Sequence, residues 1–125
     1  MNELTKEWVG KAEGDFNTAL REYRARNAPN YDAACFHSQQ CIEKYMKARL
    51  QEAEIPFGKT HDLIALIELC IPIEPLWEAF RTSLKILNSY AVDFRYPGES
   101  ATREEAKEAV SIMQNLREGI QQTVK

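Results

Sequence analysis

At 125 residues the chain is the size of a single domain, and 16 Lys and Arg against 19 Asp and Glu leave it with a net charge of -3. That balance excludes a protein held on nucleic acid by bulk charge, while leaving room for a local basic face. No apolar run approaches the roughly 20 residues of a membrane span and MNELTKEW lacks an apolar signal core, so a cytoplasmic protein with no membrane partner is expected.

Residues 2–26 place Leu4, Trp8, Ala12, Phe16, Ala19 and Tyr23 at spacings of three and four, which predicts an amphipathic helix. Asp15 falls at the margin of that stripe, where a carboxylate is either a solvated edge residue or needs a partner. Pro29 stops the helix, and Asn30 is placed to cap the next one. Residues 30–53 contain no Gly and no Pro and would span roughly 36 Å as a helix. Tyr31, Ala34, Cys35, Ile42, Tyr45 and Met46 share one face, and Phe36, Cys41, Ala48 and Leu50 widen it, so this is the central helix with several neighbours. A narrow polar stripe of His37, Gln40, Lys44 and Lys47 lies opposite Tyr31. Pro56 and Gly58 then enforce a loop, with Thr60 as N-cap of a short helix from about His61 to Cys70. Leu76, Trp77, Phe80, Leu84, Leu87 and Ala91 predict a further helix. After a break at Pro97 and Gly98, Thr102 and Glu105 form a capping box for a last helix carrying Ala106, Ala109, Val110, Met113, Leu116, Ile120 and Val124. The expected fold is an all-α, up-and-down bundle of about five helices, four long and one short, in one domain over residues 1–125.

Enzyme signatures are missing: there is no glycine-rich phosphate loop, HExxH or GxSxG, and only two histidines occur. The three cysteines, Cys35, Cys41 and Cys70, form no CxxC pair and sit among apolar neighbours, which reads as buried thiols and not as metal ligands. Three sets of polar residues on apolar scaffolds remain. His37, Gln40, Lys44 and Lys47 could meet phosphate oxygens, against the plainer reading of a solvated or dimer-facing stripe with a Glu43–Lys47 i,i+4 pair. His61 and Asp62 open the short helix, where an anionic side chain suits the dipole and a His can meet a carboxylate. Arg95 and Tyr96 follow Phe94 and precede Pro97, which presents the guanidinium or pairs it inward with Asp15 or Asp93.

The helix with Trp8, Ala12 and Asp15, the central FHSQQCIEKYMKARL from Phe36, ThrHisAspLeu at 60–63 and ArgTyrPro at 95–97 together resemble a HEPN domain over nearly the whole chain. The resemblance implies an all-helical fold, homodimerisation, and pairing with a minimal nucleotidyltransferase in a two-component, toxin–antitoxin-like module. Many members of the family are metal-independent ribonucleases that use an Arg, four to six residues and then a His. Here no His follows His61, so that pair is absent and the proton-transfer group of that route with it.

The resulting expectation is a non-catalytic dimeric HEPN protein whose His37, Gln40, Lys44, Lys47, His61, Asp62, Arg95 and Tyr96 contact a nucleotide, with a purine nucleotide as the candidate ligand, or a nucleotidyltransferase. A divergent ribonuclease toxin acting on RNA and a purely structural interaction protein are the alternatives. Trp8, Phe16, Tyr45, Trp77, Phe80, Leu84, Leu116 and Ile120 are expected to share one core. The apolar residues of the central helix, with Val9 and Leu20 beside them, exceed what one protomer is expected to cover; loops 54–60 and 92–100 are too short to do so, and a homodimer contact flanking Phe36, Gln40, Lys44 and Lys47 is predicted.

Overall fold

The computed structural model describes residues 1–91 and 97–123. Among them it contains five α-helices and no strand: α1 (Glu3–Arg24), α2 (Tyr31–Glu52), α3 (Leu63–Cys70), α4 (Arg81–Asn88) and α5 (Arg103–Gln121), with 3₁₀ turns at Pro75–Phe80 and Ser89–Ala91 extending α4 at both ends. Local chemistry sets the boundaries. Asn2 and Asn30 cap α1 and α2 by accepting from Thr5 N and Ala33 N, and Thr102 and Glu105 complete the capping box of α5. The short helix starts two residues later than its sequence suggests. Its N-cap is Asp62, whose carboxylate accepts from Ile64 N, while Thr60 Oγ1 instead accepts from Asp62 N and shapes the turn before it. Pro75 at the start of the fourth segment favours a tight 3₁₀ entry over a uniform α-helix.

Helix α2 is the axis, packed by α1, α3, α4 and α5. Ala34, Cys35, Cys41, Ile42, Met46, Ala48 and Leu50 are all fully buried within one protomer. The predicted surplus of apolar surface on this helix is therefore covered by the chain itself. Part of the cover comes from the loop after α2: Ile55 and Phe57 pack on the core, and Phe57 meets Trp8 edge-on with ring centroids 5.9 Å apart. Among the described residues the large apolar side chains that stay exposed are Met1, Leu4, Phe36, Leu76 and Ile86.

Helix α1 lies antiparallel to α2, and its buried face is Thr5, Ala12, Asp15 and Ala19. These are small or polar residues, so the two backbones come close and the large side chains move to the seam. Trp8 and Phe16 accordingly flank the core half-buried and Leu4 is exposed, whereas Tyr45, Trp77, Leu84, Leu116 and Ile120 lie inside it and Phe80 at its edge. Gly14 has open space beside it. The close approach is at Gly119, where a Cβ would sit 2.9 Å from Phe80 Cζ. No helix among the described residues is long and apolar enough to cross a membrane.

Candidate functional site

The polar residues of α2 are drawn into two knots, each built on one carboxylate that has left water. In the first, Asp15 of α1 receives His37 Nδ1 at 2.7 Å and Lys44 Nζ at 2.5 Å. Burial alone would raise the Asp15 carboxyl, but the hydrogen bonds from His37 and Lys44 outweigh it and hold it below its ordinary value. The edge carboxylate of the sequence thus finds two partners on α2, spaced two turns apart. His37 and Lys44 keep 30% and 22% of their side chains in solvent, and the His37 ring stands edge-on to Phe36.

The second knot is deeper. Glu43, its side chain 2% exposed, accepts from Lys47 Nζ at 3.1 Å and meets His61 Nδ1 at 3.0 Å, with the amides of Gln39 and Gln40 at 3.5 and 3.4 Å. Gln40 also donates to Gln39 Oε1, and Gln39 to the carbonyl of His61. Lys47, 6% exposed, lies 5.5 Å from the ring centroid of Trp8 and 5.9 Å from that of Phe57. Lys47 and Gln40 are thus not part of a solvated stripe. The loop carrying Phe57 and His61 closes over them, and a buried ammonium is tolerated because a carboxylate and two aromatic faces replace water. His61 itself is 69% exposed and forms the outer surface of the knot.

Asp62 serves structure, capping α3 and accepting from Asn88 Nδ2. Arg95 and Tyr96 lie outside the described residues. Sequence reasoning singles out Asp15 but not Glu13, Gln39 or the depth of Glu43. Glu13 forms a two-pronged pair with Arg117 of α5, both bonds at 2.7 Å, and accepts from the Tyr45 hydroxyl. The Arg117 bond holds the Glu13 carboxyl below its ordinary value against burial, and burial with the Glu13 bond pushes the Tyr45 hydroxyl up. The spacing signal for Gln39 and Glu43 is present in the sequence, at i and i+4 beside an apolar face. Among the described residues no group of His, Cys, Asp and Glu is placed to hold a metal ion, and all three cysteines are buried and free.

Chemically, each histidine has its Nδ1 committed to a carboxylate, and each lysine of the stripe is neutralised within hydrogen-bond distance. The arrangement ties α1, α2 and the loop before α3 together, and presents to solvent a rim of Phe36, His37, Lys44 and His61.

The fold has a counterpart among solved structures. The crystal structure of TT1696 from Thermus thermophilus superposes with a TM-score of 0.83 at 22% identity, covering 98% of each chain, a likeness that establishes the fold. No curated protein gives a match. The HEPN domain family model matches residues 5–122, and with nearly the whole helical bundle inside that span the chain belongs to the HEPN domain family.

Proposed function

We propose that this is a non-catalytic HEPN protein that works by binding, as a dimer and as one half of a two-component, toxin–antitoxin-like module whose other half is a minimal nucleotidyltransferase, with a purine nucleotide as the small ligand of that assembly. The observation that supports it most is the internal commitment of both histidines: His37 on Asp15 and His61 on Glu43 stand where orientation and packing are served. The nuclease Arg–His pair is absent from the sequence besides. On this reading His37 and Lys44, the more open knot, meet the nucleotide phosphates, and Phe36, 37% exposed next to them, is the apolar anchor of a protein contact.

The test is isothermal titration of the purified protein with ATP, GTP and a short RNA, alone and with the nucleotidyltransferase, beside sedimentation equilibrium at micromolar concentration. Heat with a purine nucleotide, diminished by Lys44→Gln, and a dimer mass reduced by Phe36→Asp are expected. Absence of heat with every nucleotide in both settings removes the ligand half. A monomer mass unchanged by Phe36→Asp removes the dimer. Hydrolysis of RNA by the pure protein, abolished by Arg95→Ala, overturns the non-catalytic reading in favour of a divergent ribonuclease.

A further inference from the structure

Two of the exposed large apolar side chains, Leu76 at 87% and Ile86 at 37%, lie on one continuous segment, the 3₁₀ turn Pro75–Phe80 and the helix α4 that follows it. Three residues per turn put Trp77 and Phe80 on the inner face of the 3₁₀ turn, where their rings meet, and Leu76 and Ala79 on the outer one. Helix α4 continues with Leu84 and Leu87 buried and with Ser83 and Ile86 facing a groove against α5. Leu76, Ala79, Ser83 and Ile86 therefore form one stripe, roughly 17 Å long at the rises of the two helix types. The charged residues between its ends, Glu78, Arg81 and Lys85, fall on the opposite flank, where Arg81 bridges Glu68 of α3 at 2.5 Å and Glu78 at 2.6 Å.

Two further features bear on what covers this stripe. The groove beside it, about 490 Å³, has Ile86 and Ile112 as its apolar part and Ser83, Ser111 and Asn115 among its neutral polar residues. The turn that holds Leu76 out is braced on both sides, by Trp77, 2% exposed in the core, and by Glu74 on Arg49 of α2 at 2.8 Å. A side chain presented on a fixed turn loses little freedom when it is covered.

The order of the stripe names the occupant. In a two-fold contact residue i meets j and j meets i, so a self-docking stripe must read the same when reversed. This one does: large, small, small, large, with positions 76 and 86, and 79 and 83, equidistant from residue 81. We propose that a second copy of this chain docks here with the two segments antiparallel, Leu76 of each copy entering the groove at Ile86 of the other while Ala79 and Ser83 let the backbones approach. No charge stands on the stripe to repel its own copy. With the α5 wall the patch is on the order of 600 Å² per copy, against about 800 Å² in a standard interface, which makes it a weak contact that forms at high micromolar concentration. It goes beyond the proposed dimer, whose contact is at Phe36 on α2, and does not depend on it; two such contacts on one protomer build a tetramer or an open chain.

Disulfide trapping decides it, because the pairing fixes which positions meet. Leu76→Cys/Ile86→Cys, oxidised with diamide at about 200 μM protein, should give covalent dimer about tenfold or more faster than either single variant or Leu76→Cys/Lys11→Cys. Positions 76 and 86 of one chain, roughly 17 Å apart, cannot bridge each other, since a disulfide needs Cα atoms within about 7 Å. The native Cys35, Cys41 and Cys70 are buried and do not compete. In sedimentation velocity, Leu76→Asp should abolish the association and Leu76→Asp/Ile86→Lys restore it, as the new charges meet only across the two-fold. Equal trapping in the single variants, or none above the Lys11 control, would overturn the contact. So would loss of trapping on adding Phe36→Asp, which would assign the effect to the proposed dimer; trapping that survives Phe36→Asp supports this face even where the Phe36 dimer fails. Unchanged circular dichroism melts confirm that the exposed substitutions leave the fold intact.

Discussion

Glu43→Ala removes in one step the acceptor of Lys47, His61, Gln39 and Gln40, and leaves an ammonium with 6% of its side chain exposed facing a cavity. At 3.1 Å and an effective dielectric near 20, the Lys47–Glu43 attraction is worth about 5 kcal/mol before desolvation is set against it. Removing one partner of a buried pair costs about 3 to 5 kcal/mol, because the other charge stays buried without compensation. Lys47 keeps the ring faces of Trp8 and Phe57, which places the expected loss near about 3 kcal/mol. The companion variant Glu43→Leu/Lys47→Met replaces the pair with apolar groups of similar size, and should stay within about 1 to 2 kcal/mol of wild type. Urea unfolding followed by tryptophan fluorescence measures both, with Trp8 beside the knot reporting local loosening. If Glu43→Ala costs under about 1 kcal/mol, or the double variant loses as much as Glu43→Ala alone, the knot is not a desolvated charge pair and the reasoning fails.

Ile42→Ala, at a fully buried position of α2, should cost about 2 to 5 kcal/mol in the same assay, and a loss under about 0.5 kcal/mol would contradict the placement of the helix. Asp15 has a folded-state pKa held below its unfolded value, so its contribution is present above about pH 4 and is lost as pH falls through the lowered value. Asp15→Asn should therefore be less stable than wild type at neutral pH, with the gap narrowing towards about pH 3; a gap independent of pH would refute the linkage. Burial pushes the Cys35 and Cys70 thiols up to about 12, so a thiol reagent at about pH 8 should label the native protein only at the rate of its unfolding. Immediate labelling in the absence of denaturant would contradict the buried placement.

The helical count, the caps at Asn30 and Thr102 and the central role of residues 30–53 can be read from periodicity alone, because those signals are local. The burial of Lys47 cannot. A lysine four residues after a glutamate has the same pattern whether it faces water or a closing loop, and only the position of Phe57 and His61, set by the turn at residues 54–62, distinguishes the two. Leu4, Trp8 and Phe16 depart from their pattern for a related reason. Hydrophobicity ranks them as the buried stripe of α1, but close helix pairing selects for small side chains, and Thr5, Ala12, Asp15 and Ala19 fill the contact instead. Gly119 carries no sequence sign that Phe80 presses against it.

The same geometry bears on why polar groups occupy the middle of the bundle at all. An apolar seam between α1 and α2 would hold comparably well after one helix slid a turn past the other, since Ala and Leu pack in several registers. Asp15 cannot slide. Its partners, His37 and Lys44, lie on the other helix, and a shift of one turn, about 5.4 Å, would strand a carboxylate that is 10% exposed. Glu43 fixes the loop before α3 in the same way, because His61 must return to it for the loop to cover Lys47. The stability of such pairs is modest, since desolvation offsets most of their attraction, but the difference between the paired and the displaced arrangement is several kcal/mol. The knots therefore act on register more than on total stability. They hold Phe36 and His37 at a set height along α1, and any partner that reads this rim meets one fixed surface.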